Sequence, residues 1–373
     1  MRKILIITLL ICLFTTSAFA APDVAAPSYL LMEASTGQVL AEQDADHPQA
    51  PASVTKIMTL LLTMEAVERG QLGWEDMVTA SAAAAAKGGS QVYLAEGEQL
   101  PLWEMVKCVV VSSANDCATA LAEAVSGSES GFVEKMNERA RELGMENTTF
   151  LNCTGLDEES GGHLTTCRDI AIMSRELLKH DEIREYTTIW MDTIRDGSFG
   201  LSNTNKLVRF YEGTTGLKTG FTDSAGYCMS ATAMKDGMEL IAVVMNCESS
   251  TDRFESAKGL LDFGFANYQT VSALGEETLP AVTVDLGREE TVQPVISDSA
   301  AILTEKGLQV TREIQLADSV SAPVAEGQTL GTLVVKSGEK VLKEIPLVAE
   351  TAVEKLTWGD VYLKLLEKMW MGS

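Results

Sequence analysis

Histidine is scarce in this sequence. The chain of 373 residues contains three, His47, His163 and His180, and none lies in an H-x-x-x-H or Cys/His spacing of the kind that binds zinc. A G-x-S-x-G elbow, typical of serine hydrolases with a histidine base, is also absent. These absences argue against a zinc hydrolase and a Ser-His-Asp hydrolase. We expect chemistry that uses no imidazole, no metal and no other cofactor.

Basic side chains are in deficit as well. The sequence has 29 Lys and Arg against 53 Asp and Glu, which gives a formal charge of −24. Because nucleic-acid binding depends on Lys and Arg that neutralise phosphates, this deficit excludes nucleic acid as a partner. A hydrophobic content of 46% indicates a folded chain, and the length fits about two to three domains.

The apolar run at the start of the chain is short. Arg2 and Lys3 precede it, it extends from Ile4 to Phe14, and Ala18 to Ala20 place small residues where a signal peptidase cleaves. A membrane span needs about 20 apolar residues, so an uncleaved anchor is the weaker alternative. The pattern predicts a signal peptide over residues 1–20, cleaved after Ala20, and therefore an exported protein.

Six of the seven cysteines lie beyond this segment, all in the middle of the chain. An exported protein can oxidise its thiols to disulfides, but buried cysteines also serve as small apolar residues. Nothing in the spacing selects a pairing, and both interpretations stay open. These cysteines are Cys108, Cys117, Cys153, Cys167, Cys228 and Cys247.

Hydrophobic periodicity predicts a first large domain over residues 21–272. Two strands come first, several helices follow, and a second group of strands precedes a last helix. This order predicts an α+β fold in which one antiparallel sheet joins strands from both ends of the domain, with helices packed on it. The predicted strands are 29–33, 38–42, 214–222, 226–234 and 238–246, and the predicted helices are 53–69, 82–86, 102–111, 116–124, 132–143, 168–178 and 251–268.

The sequence pattern changes from mixed helices and strands to short strands after about residue 279. Short β-branched segments separated by polar turns predict a small all-β domain over 276–350, with strands at 281–286, 290–295, 308–316 and 331–335. The last part of the chain, 351–373, contains an amphipathic helix from Gly359 to Met371. We expect this helix to lie on a membrane surface; packing on the β domain or in an oligomer is the alternative.

Ser53 and Lys56 form the first candidate for catalytic chemistry. Three residues apart at a predicted helix start, their side chains share one face. A lysine in a desolvated cleft loses proton affinity, so Lys56 could accept the Ser53 proton in place of the missing histidine. A lone S-x-x-K is a weak signal, because Ser and Lys are common.

Two further motifs follow in order along the chain. Ser113-Ala114-Asn115 lies between two predicted helices, where a second hydroxyl can relay protons and an amide can bind a substrate carbonyl. Lys218-Thr219-Gly220 lies on a predicted strand and offers a fixed positive charge, a hydroxyl and room for close approach of a ligand. Taken alone, the first motif could be a helix cap and the second a solubilising lysine on an edge strand. These structural roles do not explain why the motifs occur together in this order.

The three motifs together resemble the signature elements of penicillin-recognising serine acyl-transferases. Their local contexts, at 32–40, 51–59, 113–116 and 215–220, are similar to low-molecular-mass penicillin-binding proteins of the D-alanyl-D-alanine carboxypeptidase type. The resemblance covers roughly Ala26 to Tyr268, and this type commonly carries a β domain and a terminal helix too. It implies a β-lactamase-like α+β catalytic domain at the outer face of the cell membrane, in the cell wall space.

The resemblance also implies a role for each matching residue. The substrate would be a peptidoglycan stem peptide ending in D-Ala-D-Ala, and β-lactams would be inhibitors. The implied roles are nucleophile for Ser53, base for Lys56, proton transfer to the departing D-alanine for Ser113, a hold on the substrate amide for Asn115, and contact with the terminal carboxylate for Lys218, Thr219 and, as the weakest assignment, Arg253.

The backbone around these motifs is implied to act as well. The N–H groups of Ser53 and of Phe221, just after Gly220, would form the oxyanion hole, where one donor is worth about 10²–10³ in rate. Some relatives have His where this chain has Phe221. The loop Gly155–Arg168 resembles the loop beneath the active site, and we interpret His163 within it as structural.

The sequence leaves two alternative functions open. A secreted serine β-lactamase would share the serine and lysine, but it usually deacylates through a loop Glu followed by Leu-Asn, a context that Glu158 and Glu159 lack. A non-catalytic scaffold that binds stem peptides is disfavoured because the four residues that carry the chemistry are all present: Ser53, Lys56, Ser113 and Lys218.

Overall fold

The computed structural model describes residue 22 and residues 24–158, 161–297 and 301–363. The predicted signal peptide (1–20), Glu159 and the last part of the predicted terminal helix (364–373) lie outside this range. Up to residue 272 the elements are β1 Ser28–Glu33, β2 Val39–Gln43, α1 Lys56–Glu68, β3 Met77–Thr79, α2 Ala82–Ala85, β4 Gln99–Pro101, α3 Leu102–Val111, α4 Asn115–Ser126, α5 Glu129–Glu142, α6 Cys167–Leu177, α7 Ile183–Thr187, β5 Met191–Ile194, β6 Phe199–Ser202, α8 Leu207–Phe210, β7 Thr214–Thr222, β8 Gly226–Lys235, β9 Met238–Cys247, α9 Ser250–Asn267 and β10 Tyr268–Ser272.

A five-stranded antiparallel sheet organises this part of the chain. Its strand order is β2-β1-β9-β8-β7, so strands from both ends of the domain meet at its centre. Successive side chains of β9 enter different cores: Ile241 and Val243 join the core with α1, α3, α4 and α6, whereas Ala242 and Val244 join the core with α9. Helices therefore cover both faces, and the α+β prediction is confirmed.

The first predicted helix needs a correction. The prediction starts it at Ser53, but the α-helix begins at Lys56 and a 3₁₀ turn, Ala52–Thr55, precedes it. Ala52, just before the predicted start, has a positive φ of 48°, so the chain enters this turn from outside the α-helical region. The short elements β3 to β6, α7 and α8 include several that periodicity missed, because segments of three to five residues carry too little pattern.

The C-terminal part is all-β among its described residues up to 349. Its elements are β11 Val282–Asp285, β12 Thr291–Val292, β13 Pro294–Ile296, β14 Ala301–Glu305, β15 Thr311–Leu316, β16 Ser319–Ser321, β17 Thr329–Ser337 and β18 Lys340–Ala349. The predicted strand 290–295 is wrong as a single strand. It divides into β12 and β13, which join different sheets, and Pro294, which has no N–H to donate, stands where it divides.

Helical structure reappears at 358–363, where the described residues end. Among the described residues, no helix is long and apolar enough to cross a membrane. Association of 359–371 with a membrane surface therefore stays a prediction. The six cysteines between Cys108 and Cys247 are all buried free thiols.

Candidate active site

The 3₁₀ turn presents Ser53 to the first turn of α1. Ser53 is half-buried, and its Oγ lies 2.8 Å from Nζ of Lys56. The spacing of three residues makes this contact possible, because a tight helical turn stacks residues three apart on one face. The predicted pair is thus within proton-transfer distance.

Lys56 is completely buried and forms no salt bridge within the described residues. Its Nζ lies 2.8 Å from the backbone oxygen of Thr154, which accepts a hydrogen bond. Burial lowers the pKa of Lys56 from 10.5 to about 7, although the nearby Cys153 and Asp116 favour the charged form. An amine near pKa 7 is substantially neutral at neutral pH, so it can donate to Thr154 and accept the Ser53 proton.

Two glycines let other segments pack directly against the Ser53 turn. A Cβ at Gly155 (φ +81°) would lie 1.8 Å from the oxygen of Ala52. A Cβ at Gly220 would lie 2.9 Å from the oxygen of Pro51 and 3.1 Å from the nitrogen of Ser53. The turn is therefore clamped between the 155 loop and strand β7, which brings the Lys218-Thr219-Gly220 motif beside the serine.

We expect Gly155→Ala to displace the Ser53 turn, because Cβ and the Ala52 oxygen cannot share this space. A misplacement near 1 Å can cost about 10²-fold in rate, so acylation by a penicillin should slow by at least about tenfold. Gly144→Ala is the matched control: Gly144 also has a positive φ, +75°, but no atom within 4 Å of its Cβ position. Both variants should lose stability from backbone strain. Equal acylation rates in the two would contradict the clamp.

Ser113 and Asn115 occupy the corner between α3 and α4. Ser113 is 4% exposed, has φ +60° and its Oγ has no hydrogen-bond partner within the described residues. Asn115 donates from Nδ2 to the oxygen of Gly88 at 2.7 Å, while its Oδ1 is buried without a partner in the same range. Neither residue bonds directly to Ser53 or Lys56. Buried polar atoms without partners are rare in proteins, and a bound substrate can satisfy both.

Two buried basic side chains, Lys218 on β7 and the nearby Arg253, form a positively charged part of the site. Lys218 is 1% exposed and its Nζ donates to the oxygen of Thr219 at 2.9 Å. Burial, followed by repulsion from Lys56 and Arg253, lowers its pKa. A substrate carboxylate would relieve this repulsion and favour the charged lysine.

Arg253, the weakest assignment from the sequence, lies near the start of α9. It is buried, with 7% of its surface exposed. Its Nη1 donates to the oxygen of Gly220 at 3.1 Å, and its guanidinium lies 5.3 Å from the Tyr227 ring centre and 4.6 Å from that of Phe254. These contacts fix Arg253 behind the Lys-Thr-Gly motif.

Phe221 and His163 are both held in place by neighbouring residues. The Phe221 ring is 49% exposed and packs on Tyr227, with ring centres 4.3 Å apart. His163 is buried, its Nε2 lies 2.9 Å from Oγ1 of Thr55, and its Nδ1 accepts from the Leu151 N–H at 3.1 Å. Burial lowers the His163 pKa to about 4. His163 therefore stays neutral near pH 7, and its hydrogen bonds join the loop to the Ser53 turn.

Three residues of the site were missed from the sequence. Thr154 contributes a backbone oxygen, which has no side-chain signature. Thr204 contributes a hydroxyl that accepts from Thr219 Oγ1 at 2.8 Å. Asp116 is completely buried and accepts from the backbone N–H groups of Val92 and Leu94; its place beside Asn115 was the only available signal.

A helix-covered antiparallel sheet with a Ser-x-x-Lys turn and a Lys-Thr-Gly strand defines the class of penicillin-recognising serine enzymes. The family model described as "D-alanyl-D-alanine carboxypeptidase", Peptidase S11, matches residues 15–249, and the model "Penicillin-binding protein 5, C-terminal domain" matches residues 268–355. The chain belongs to the Peptidase S11 family of D-alanyl-D-alanine carboxypeptidases and is a serine-type carboxypeptidase.

Similar proteins support this membership over most of the chain. D-alanyl-D-alanine carboxypeptidase DacF of Bacillus subtilis is 42% identical over 366 residues, covering 94% of each chain. The crystal structure of penicillin-binding protein 5 from Haemophilus influenzae has a TM-score of 0.78 at 30% identity, covering 91% of this chain and 100% of that one. Penicillin-binding protein D2 from Listeria monocytogenes, solved in an ampicillin-bound form, has a TM-score of 0.60 at 31% identity and covers 65% of this chain and 98% of that one.

Proposed function

We propose that the enzyme removes the terminal D-alanine from peptidoglycan stem pentapeptides through an acyl-enzyme on Ser53. The observation that carries this proposal is the 2.8 Å approach of Ser53 Oγ to a buried Lys56 whose pKa is about 7. An uncharged amine at this distance can take the hydroxyl proton as the oxygen attacks.

In the acylation step, Ser53 Oγ bonds to the carbonyl carbon between the two D-alanines and its proton passes to Lys56. The backbone N–H groups of Ser53 and Phe221 stabilise the oxyanion, and the unpartnered Asn115 Oδ1 accepts from the substrate amide. The C–N bond then breaks, and the departing amine takes, through Ser113, the proton that Lys56 accepted. Water next attacks the ester carbonyl, and one of its protons passes to Ser53 Oγ as the ester bond breaks, which releases the shortened peptide.

Recognition of the terminal carboxylate falls to the cluster on β7. Lys218 and Arg253 are both buried cations, so neither charge is screened by water. A carboxylate bound at this cluster would gain charge-assisted hydrogen bonds and offset the repulsion between the two cations. We infer that β-lactams, which also carry a carboxylate and a reactive carbonyl, acylate Ser53 in the same way.

The alternative of a β-lactamase differs in the deacylation step. Glu158 is exposed and its Oε1 accepts from Asn152 Nδ2 at 2.7 Å, which engages one of its oxygens away from the Ser53 and Lys56 pair. The deciding experiment compares release of D-alanine from a stem pentapeptide with turnover of a chromogenic cephalosporin by the same preparation. We expect multiple turnovers of peptide and a single slow turnover of cephalosporin. The reverse result would establish a β-lactamase.

The proposed substrate also indicates where in the cell the enzyme works. A stem peptide of peptidoglycan is an extracytoplasmic substrate, which fits the signal peptide predicted over 1–20. The two family matches, over residues 15–249 and 268–355, support a wall enzyme with a β domain after its catalytic domain. We propose that the enzyme works in the cell wall space, as a peripheral protein at the extracytoplasmic face of the cell membrane.

A further inference from the structure

We propose that Thr204 is a positioning residue for the substrate carboxylate, acting through the Thr219 hydroxyl; this inference depends on the proposed function. Thr219 lies on β7 between Lys218 and Gly220. Its hydroxyl donates to Oγ1 of Thr204 at 2.8 Å. Within the described residues, the Thr204 side chain forms no other hydrogen bond, so the proton of its hydroxyl has no acceptor there.

The segment around Thr204 is held rigidly. Asn203 donates from Nδ2 to the oxygen of Ile189 at 2.6 Å, and Asn205 donates from Nδ2 to the oxygen of Gly216 at 2.9 Å. Both asparagines are buried, whereas Thr204 between them is half-buried. The two neighbours therefore fix the backbone and leave the Thr204 side chain facing β7.

The same segment is tied to the corner that carries Ser113. The Thr204 N–H donates to the oxygen of Val111, the last residue of α3, at 3.1 Å. Thr204 thus joins the carboxylate side of the cleft, at Thr219, to the end of the helix that precedes Ser113. The backbone of Thr204 makes the contact with α3, and its hydroxyl makes the contact with Thr219.

The two hydroxyls form a pair with one proton to spare. Each threonine hydroxyl has one proton and two acceptor positions. When Thr219 donates to Thr204, the spare proton is on Thr204; when the bridge reverses, it is on Thr219 and can point to a carboxylate. In the reversed arrangement the Thr204 donor polarises the Thr219 hydroxyl, which strengthens a hydrogen bond to an anion.

The test compares Thr204→Val and Thr204→Ser in the full chain. Acylation rates are measured with benzylpenicillin and with its methyl ester, which lacks the carboxylate charge. We expect Thr204→Val to slow the acid by about tenfold, in the range of one hydrogen bond to a charged group, and to leave the ester within twofold. Thr204→Ser keeps the hydroxyl and should remain within threefold of the unaltered chain for both compounds.

Two controls distinguish a specific effect on the carboxylate from a general loss of structure or activity. Thr214→Val removes a hydroxyl at the far end of β7, where it donates to the backbone oxygens of Leu207 and Tyr211, and should slow both compounds equally or neither. In a Thr219→Val background, Thr204→Val should have no further effect, because Thr204 acts through Thr219. Equal losses for acid and ester, or an unchanged rate for the acid, would overturn the proposal. Acylation of the unaltered chain tests the proposed function separately.

Discussion

Ser53→Ala should abolish covalent labelling by a fluorescent penicillin and reduce release of D-alanine by about 10⁴–10⁶, as loss of a nucleophilic serine does elsewhere. The physical reason is that, among the described residues, Ser53 is the side-chain hydroxyl that is hydrogen-bonded to the Lys56 amine. Labelling is read on a denaturing gel after incubation of the full chain with the probe.

Ser224→Ala is the control for this result. Ser224 is an exposed serine whose hydroxyl bonds to Asp157 and not to Lys56, so its loss should leave labelling unchanged. Labelling that survives in Ser53→Ala and is mapped to another serine would remove Ser53 as the nucleophile. The thermal midpoint should change little in either variant, because neither change empties a buried apolar space.

Lys56→Met should slow acylation by about 10²–10⁴, the range that general-base catalysis contributes. Methionine keeps the length of the side chain in a site that is completely buried, while it removes both the proton acceptor and the donor to Thr154. The variant should fold at least as stably as the unaltered chain, because a lysine whose pKa is lowered on folding destabilises the fold below pH 10.5. The rate of penicillin acylation and the thermal midpoint check the two halves of this expectation.

Lys107→Met is the matched control for the loss of a buried lysine. Lys107 is 7% exposed and pairs with Asp192 at 2.9 Å, away from Ser53. Its replacement should lower stability, since it leaves a carboxylate without its partner, but it should leave the acylation rate within about twofold. An acylation rate for Lys56→Met as high as that of Lys107→Met would show that Lys56 is not the base.

Local sequence predicted the part of the site that depends on local geometry. A spacing of three residues suffices to bring Ser53 and Lys56 together. Contacts between segments distant in sequence could not be predicted. The Thr154 oxygen and the Thr204 hydroxyl join the site only after the chain has folded. The burial of Arg253 was equally beyond local prediction, because the Tyr227 ring that covers it together with the neighbouring Phe254 belongs to a different element, β8.

The same distinction between local pattern and long-range contacts applies to the strands of the fold. Strands β7 to β9 have nine or ten residues each, and their alternation or continuous apolar character predicted them well. Strand β18 was missed because Lys340, Lys343 and Pro346 interrupt its apolar pattern. Its place is determined by pairing with β13 and β17, which no local pattern reveals.

The pH dependence of acylation tests the central claim, an acyl-enzyme formed by Ser53 with neutral Lys56 as its base. Protonated Lys56 cannot accept a proton, so the second-order rate of penicillin acylation should fall about tenfold per pH unit below the Lys56 pKa of about 7 and level off above it. In Lys56→Met the same profile should be flat. A flat profile for the unaltered chain between pH 5 and pH 9, or a rise that continues to pH 10, would contradict the account.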